Sequence, residues 1–264
     1  MKVGFIGAGN MGGALAQAVN NVSGVEVVVS SHNQEKATLL QNKIGCKVDA
    51  NSAICKTAKF IFVGVKPNKI TDLYAEICCD LAQNENAVIV SMLAGVTIER
   101  LEELFKNRAI IRIMPNTPVA VSKGVTVWCA NALVSSDDKQ AFKNLMAYTG
   151  LLEEICENEL NSCCAVSGCG PAFCYEFIGA MIKAGEELGL SYEKARQLAC
   201  QTVIGSAQMV LETQKPTSEL CANVCSPGGA TIEGVKVLRA NEMESVVKKA
   251  IKASFNKTEL MQKR

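Results

Sequence analysis

Three glycines, Gly7, Gly9 and Gly12, stand between an apolar run and a helical stretch in "KVGFIGAGNMGGALAQAVN", residues 2–20. No other feature narrows the fold as much. A strand that turns directly into a helix, with a second apolar run following at 25–29, opens a β-α-β unit, and such units close almost always as right-handed crossovers onto a parallel sheet. Gly7 permits the tight turn, Gly9 lets the backbone come close to a pyrophosphate, and Gly12 lets helix and strand pack. The anion is then expected at the helix N-terminus. A dinucleotide site is the expected use; a turn that binds nothing is the alternative.

The rhythm continues for more than half the chain. Runs at 25–29, 59–65, 87–91 and 109–114 are almost continuously apolar, as in strands covered on both faces. Crossover helices are expected at 11–20, 34–44, 70–81 and 98–105, then strands at 124–130 and 151–156 around a helix at 138–148. After Asn158 the pattern turns helical, at 165–188, 192–213, 231–240 and 243–255. The expected architecture is α/β: a Rossmann-type doubly wound parallel sheet over 1–156, followed by an all-α domain over 157–264. Those helices make a thin core, with small residues Gly179, Ala180, Ala184 and Gly185 suited to close helix approach. Burial against a second copy, and so at least a homodimer, is expected.

Composition excludes several classes. With 27 basic and 26 acidic residues the chain has no overall field for nucleic acid or a membrane surface. Thirteen cysteines fall partly in apolar runs, such as Cys78 with Cys79 and Cys163 with Cys164, and no signal peptide precedes them. They read as free thiols of a cytoplasmic protein, with Cys169 among those that pack as small apolar residues. One histidine and no repeated CxxC leave no metal site to expect. Residues 163–182 lack lysine and arginine but contain Pro171 and Glu176, which argues for a buried helix rather than a membrane span.

After the second apolar run come Ser30, Ser31, His32 and Asn33, where NAD-selective sites place a carboxylate for the ribose 2′-hydroxyl. Ser31, His32 and Lys36 are instead suited to a 2′-phosphate, so NADPH is favoured and NADH remains possible. His32 and Lys36 are alternatively solvated surface residues. Lys66 could meet the cofactor ribose or phosphate, or be a solvated loop lysine beside the rigid Pro67. With the lone histidine placed at the adenosine end, histidine-based proton chemistry on a 2-hydroxyacid is disfavoured. An imine, which can arrive already protonated, suits the inventory better.

A second glycine loop, "CSPGGATIEG" at 225–234, again precedes a helix. Pro227 fixes a turn, and Gly228 and Gly229 expose amides at the positive end of a helix dipole, which suits a carboxylate. Thr231 has two readings. As an N-cap its hydroxyl would satisfy an orphan amide, worth ~1 kcal/mol; as a site residue it would hydrogen-bond the substrate nitrogen or help deliver a proton. Asn116, in "MPNTP", either shapes the chain after its strand or faces a ligand at the carboxyl end of the sheet.

These segments resemble the pyrroline-5-carboxylate reductases. The likeness rests on "VGFIGAGNMGGAL", "VGVKP" (63–67), "SMLAGVTIERL" (91–101), "IRIMPNTP" (111–118), "AVSGCGPAF" (165–173) and "NVCSPGGATIEGV" (223–235). The resemblance implies reduction of 1-pyrroline-5-carboxylate to L-proline with NAD(P)H, the last step of proline biosynthesis, and a helical dimerisation domain. By position it implies cofactor contacts at Gly7, Gly9, Asn10, Met11, Ser31, Asn51, Val65, Lys66, Pro67, Met92 and Ala94. It implies a substrate-carboxylate pocket at Asn223, Gly228, Gly229, Ala230 and Thr231, with Asn116 and Thr117 near the nicotinamide. Cys169 replaces a usual serine, and Gln214 and Ala222 occupy places often acidic in that family. A 3-hydroxyacid-type dehydrogenase normally needs a lysine early in the first long C-terminal helix, and Lys183 comes late; a non-catalytic NADPH-binding sensor would bind the cofactor without turnover.

Overall fold

A computed structural model describes residues 1–262. It holds an eight-stranded sheet in the order β3-β2-β1-β4-β5-β6-β7-β8. The strands are β1 (Lys2–Ile6), β2 (Glu26–Ser30), β3 (Lys47–Val48), β4 (Phe60–Val63), β5 (Val88–Ser91), β6 (Ala109–Pro115), β7 (Gly124–Ala130) and β8 (Gly150–Glu154). Between and after them lie α1 (Asn10–Asn20), α2 (Gln34–Ile44), α3 (Asn51–Thr57), α4 (Ile70–Leu81), α5 (Ile98–Leu104) and α6 (Ser136–Leu145). Then come α7 (Leu160–Cys163), α8 (Gly170–Glu187), α9 (Tyr192–Thr213), α10 (Thr217–Asn223), α11 (Ala230–Ala240) and α12 (Met243–Gln262).

The continuous apolar runs have a simple cause. Successive strand residues point to opposite faces, and here both faces are covered. Phe60, Phe62, Val88, Val90, Ile111 and Ile113 pack with Leu15 and Val19 of α1 and Phe142 and Leu145 of α6. Ile61, Val63, Ile89 and Ile110 pack on the other side with Ile54 of α3, Ile77 of α4 and Leu101 of α5. Phe5 and Phe62 stack with centroids 4.5 Å apart in the first of these layers.

Three features differ from the sequence expectation. β3 and α3 fill the interval 47–57, which showed no pattern because two strand residues and seven helical ones are too few for periodicity to register. α10 was likewise too short to read. β7 runs antiparallel to β6 and parallel to β8, so the last two strands reverse the direction of an otherwise parallel sheet. The reversal follows from the short connection 116–123, which has no room for the crossover helix that a parallel pairing requires.

By its contacts the chain divides into two compact units, Met1–Cys169 with the segment from Ser254 onward, and Gly170–Ala253. The first unit runs past 156 because Leu160 and Ala165 are buried in it. The helical path there contains a π turn at Cys164–Gly168, ahead of α8. The segment from Ser254 belongs to it because Asn161 Nδ2 donates to Glu259, and to Gln262 Oε1 at 2.5 Å.

In the second unit, Ile178, Met181 and Ile182 of α8 meet Ala195 and Ala199 of α9. A Cβ on Gly185 would stand 2.9 Å from that of Ala195, so this glycine sets the α8–α9 approach, whereas Gly179 faces open space. The expectation of a buried helix over 163–182 is not met within one chain. The run Glu157–Glu187 also has the length and apolar composition of a membrane span, yet only 11% of its most apolar window is buried. The reason is that α8 packs mainly against α9 in its unit, which leaves most of its surface uncovered. Glu176 is exposed.

Every cysteine among the described residues is a free thiol. Burial pushes Cys55 up to about 12 and Cys129 up to about 11, so both stay protonated at neutral pH and cannot act as nucleophiles. With a thiol-specific disulfide reagent at mildly alkaline pH, Cys156, which is exposed, is expected to react in the native protein. Cys55 and Cys129 are expected to react only after denaturation, and native labelling of either would contradict their packing role.

Candidate active site

The glycine turn leaves β1 at the point where the strand order reverses, between β1 and β4, which in open α/β sheets is where ligands bind. Gly7 has φ +91, and its amide donates to the Ser30 carbonyl at 3.0 Å. A Cβ there would lie 2.8 Å from the carbonyl of Gly64, at the end of β4. A Cβ on Gly12 would lie 2.6 Å from the Gly7 carbonyl oxygen, whereas one on Gly9 would meet nothing within 4 Å. Gly7 and Gly12 are therefore packing positions, and Gly9 borders free space.

Gly9 is the N-cap of α1, with no side-chain cap and no acidic residue in the first turn. The first bond of the helix runs from the Gly13 amide to the Gly9 carbonyl. The amides of Asn10, Met11 and Gly12 are left to an anion. These residues fit a pyrophosphate.

A cleft of about 620 Å³ opens beside the turn. Of the expected cofactor residues, Gly7, Gly9, Ser31, His32, Lys36, Asn51, Val65 and Lys66 line it. Asn10, Met11, Gly12, Pro67, Met92 and Ala94 do not line it. Asn10, Met11 and Gly12 form the first turn of α1, Pro67 begins a short 3-10 turn, and Met92 packs against Gly64. The cleft also brings in Ser30, Asn33, Gly64, Lys69, Leu73 and Glu76, which sequence reasoning did not single out as contacts. Gly64 had a signal, a glycine closing the strand next to the Gly7 turn. Lys69 and Glu76 had none, since surface charges on a helical stretch look alike.

Ser31 Oγ accepts the Asn33 amide at 3.2 Å, and the Asn33 side chain caps α2 by accepting the Lys36 amide at 3.0 Å. The serine hydroxyl proton is what remains to donate. Lys69 is paired with Asp72 at 2.9 Å, while Lys36 and Lys66 form no ion pair among the described residues. Both are exposed, as is His32.

The chain beyond β6 begins with Asn116, which is buried. Its Nδ2 donates to the Ser167 carbonyl at 2.9 Å and its Oδ1 accepts the Val125 amide at 2.8 Å. Those bonds hold the loop, and the adjacent Thr117 is exposed.

In the helical unit the Pro-Gly-Gly corner is a turn closed by the Gly229 amide on the Ser226 carbonyl at 3.0 Å, with Gly228 at φ +71. Gly229 is the N-cap of α11, with no side-chain cap. Helix α11 begins at Ala230, so Thr231 is its second residue and the capping reading is corrected. The corner Gly229, not the threonine, ends the turn, and the Thr231 hydroxyl is exposed without a hydrogen-bond partner among the described residues. Asn223, the last residue of α10, is exposed as well. Gly228, Gly229, Ala230 and Thr231 are thus consecutive around one uncapped helix start.

Comparison with known proteins points to one family. A family model described as pyrroline-5-carboxylate reductase dimerisation matches residues 157–261, and one described as NADP oxidoreductase, coenzyme F420-dependent, matches 2–95. The pyrroline-5-carboxylate reductase of Escherichia coli (strain K12) is 36% identical over 267 residues, covering 99% of this chain and 98% of that protein. The chain belongs to the pyrroline-5-carboxylate reductase family. The family member from Aquifex aeolicus (strain VF5) is 34% identical over 259 residues, 97% of this chain and 96% of its own. Among solved structures, pyrroline carboxylate reductase of Plasmodium falciparum with NADP bound superposes with a TM-score of 0.89 at 31% identity. It covers 99% of this chain and 98% of that one. The family's dimerisation model begins at 157, ahead of the contact division after Cys169.

Proposed function

We propose that this chain reduces 1-pyrroline-5-carboxylate to L-proline with NADPH, and accepts NADH less well. The observation that carries the reading is a repeated device: α1 and α11 each start on a glycine N-cap without any side-chain cap, Gly9 and Gly229. Bare helix starts favour anions. The first suits the pyrophosphate of a dinucleotide, with Gly7, Gly9, Asn10, Met11 and Gly12 forming its turn. The second suits the single carboxylate of the substrate, held by Gly228, Gly229, Ala230 and Thr231 with Asn223 nearby in sequence.

When bound, the reduced nicotinamide supplies the hydride. The chain's own part is to orient, hold charge and place a proton donor. Ser31, His32 and Lys36 receive the 2′-phosphate, and Asn51, Val65 and Lys66 line the cleft beside them, with Pro67, Met92 and Ala94 shaping the loops at the carboxyl ends of the strands. Asn116 holds the loop that presents Thr117. Positioning of this kind supplies much of the rate in a transfer that needs little acid-base help. The match to a dimerisation model over the C-terminal region, with Tyr175, Phe177, Leu198 and Ile204 exposed in a single chain, supports a homo-oligomer of at least two copies.

The test is direct. Purified protein given 1-pyrroline-5-carboxylate and NADPH is expected to consume reduced-nicotinamide absorbance and to yield one proline per cofactor oxidised. NADPH binding without turnover would leave only a sensor role. Because Thr231 is not a cap, Thr231→Ala is expected to keep the melting temperature of the parent while lowering kcat by about a hundredfold. A variant with parental kcat would remove Thr231 from the chemistry.

A further inference from the structure

Two carboxylates that no sequence pattern marked line the cleft of the first unit, Asp72 and Glu76, and only Asp72 forms an ion pair among the described residues. Glu76, on the exposed side of α4, accepts a 2.9 Å hydrogen bond from Asn51 Nδ2. Asn51 Oδ1 in turn accepts from Ser30 Oγ, at the end of β2. All three residues line the cleft together with Ser31 and His32.

The carboxylate sets the direction of this chain. An ionised carboxylate only accepts, so the amide nitrogen of Asn51 must face Glu76 and its oxygen must face Ser30. The Ser30 hydroxyl proton is thereby spent on Asn51, and the neighbouring Ser31 is the serine left to donate to a ligand. Asp49, the other acid beside these residues, accepts the Ala50 amide at 2.8 Å. Lys69 is neutralised by Asp72. Without an ion-pair partner among the described residues are therefore Lys36 and Lys66 on one side of the balance and Glu76 and Asp49 on the other, and of the two acids it is Glu76 that holds the Asn51 side chain.

The geometry points to Glu76 as a positioning and specificity-determining residue for the cofactor. It fixes the Asn51 amide, and its negative charge weakens a 2′-phosphate relative to the bare 2′-hydroxyl of NADH. This rests on the reading that the cleft receives the adenosine end of the cofactor. It also supplies a reason for the proposed weaker use of NADH at a site without the usual carboxylate after β2: an acidic group reaches the same region from α4.

The experiment compares steady-state KM for NADPH and NADH in the parent, Glu76→Gln and Glu76→Ala proteins. Glutamine keeps the acceptor for Asn51 and removes the charge. Glu76→Gln is expected to lower KM for NADPH by about threefold or more relative to that for NADH, as expected of one charge at an exposed site. The gain is expected to shrink as salt rises, since exposed charges are screened. Glu76→Ala, which also removes the acceptor, is expected to raise KM for both cofactors. An unchanged KM ratio in Glu76→Gln at low salt would overturn the inference. Gly9→Asp separates the two levels. If that variant still binds NADPH at parental affinity, the cleft reading fails and Glu76 falls with it; if binding is lost there while the Glu76→Gln ratio stays put, only the role of Glu76 is refuted.

Discussion

Gly9→Asp is expected to fold at least as stably as the parent and to lose NADPH binding by a hundredfold or more, on the order of what a like charge at close range imposes. The two halves of this result have separate causes. Gly9 already has the extended N-cap conformation, φ −75 and ψ −163, and a Cβ there meets nothing. Aspartate is among the best N-cap residues and glycine only slightly poorer, so the helix gains roughly a few tenths of a kcal/mol. The same carboxylate occupies the place offered to a pyrophosphate, and two like charges about 4 Å apart near a protein surface repel by about 4 kcal/mol. Fluorescence titration of NADPH together with a thermal melt reads both. Gly12→Ala makes the contrast, since its Cβ would press on the Gly7 carbonyl, and stability and binding should fall together. Parental affinity in Gly9→Asp would move the pyrophosphate away from this turn.

Glu157→Ala is expected to cost about 3 kcal/mol, the loss typical of stripping the partner from a buried charge. For a unit of this size that is a drop in melting temperature of roughly 6–12 °C. Arg112 on β6 is 1% exposed, and its Nη1 donates to Glu157 Oε1 at 2.6 Å, while Nε and Nη2 have no partner among the described residues. The same carboxylate oxygen accepts the Ile98 amide at 2.7 Å, at the start of α5. Removing Glu157 therefore orphans a guanidinium and a helix amide at once. The double variant Arg112→Met with Glu157→Gln should recover most of the loss, because no buried charge remains and the glutamine still accepts from Ile98. A double variant no more stable than Glu157→Ala would show that the ion pair is not what the single change disrupts.

Most of the N-terminal sheet was legible because its strands are covered on both faces, and such strands must be apolar throughout. "KFIFVGV" and "AIIRIM" read as strands because they are short, rich in β-branched and aromatic residues and alternate with helical stretches. The reversal at β7 was not legible, since an apolar strand carries no mark of its direction; only the connection at 116–123 decides it. In the site, the glycines could be read because backbone geometry demands them, and Ser31 because a carboxylate was missing where one was expected. Glu76 could not be read, since its meaning comes from Asn51, 25 residues away in sequence. Of the two readings open for Thr231, capping failed for a related reason. A glycine in extended conformation closes the turn as well as a hydroxyl residue would, and the helix starts one residue early.

The closing segment of the chain has a practical consequence. Glu259 and Gln262 supply the partners of the buried Asn161, and a Cβ on Gly95 would stand 3.1 Å from the Met261 carbonyl oxygen. A gene fragment ending at residue 169 would thus encode the whole sheet yet lack part of its own packing. To isolate that half as a soluble piece, the engineer must splice the final helical turns back on or add them as a synthetic peptide.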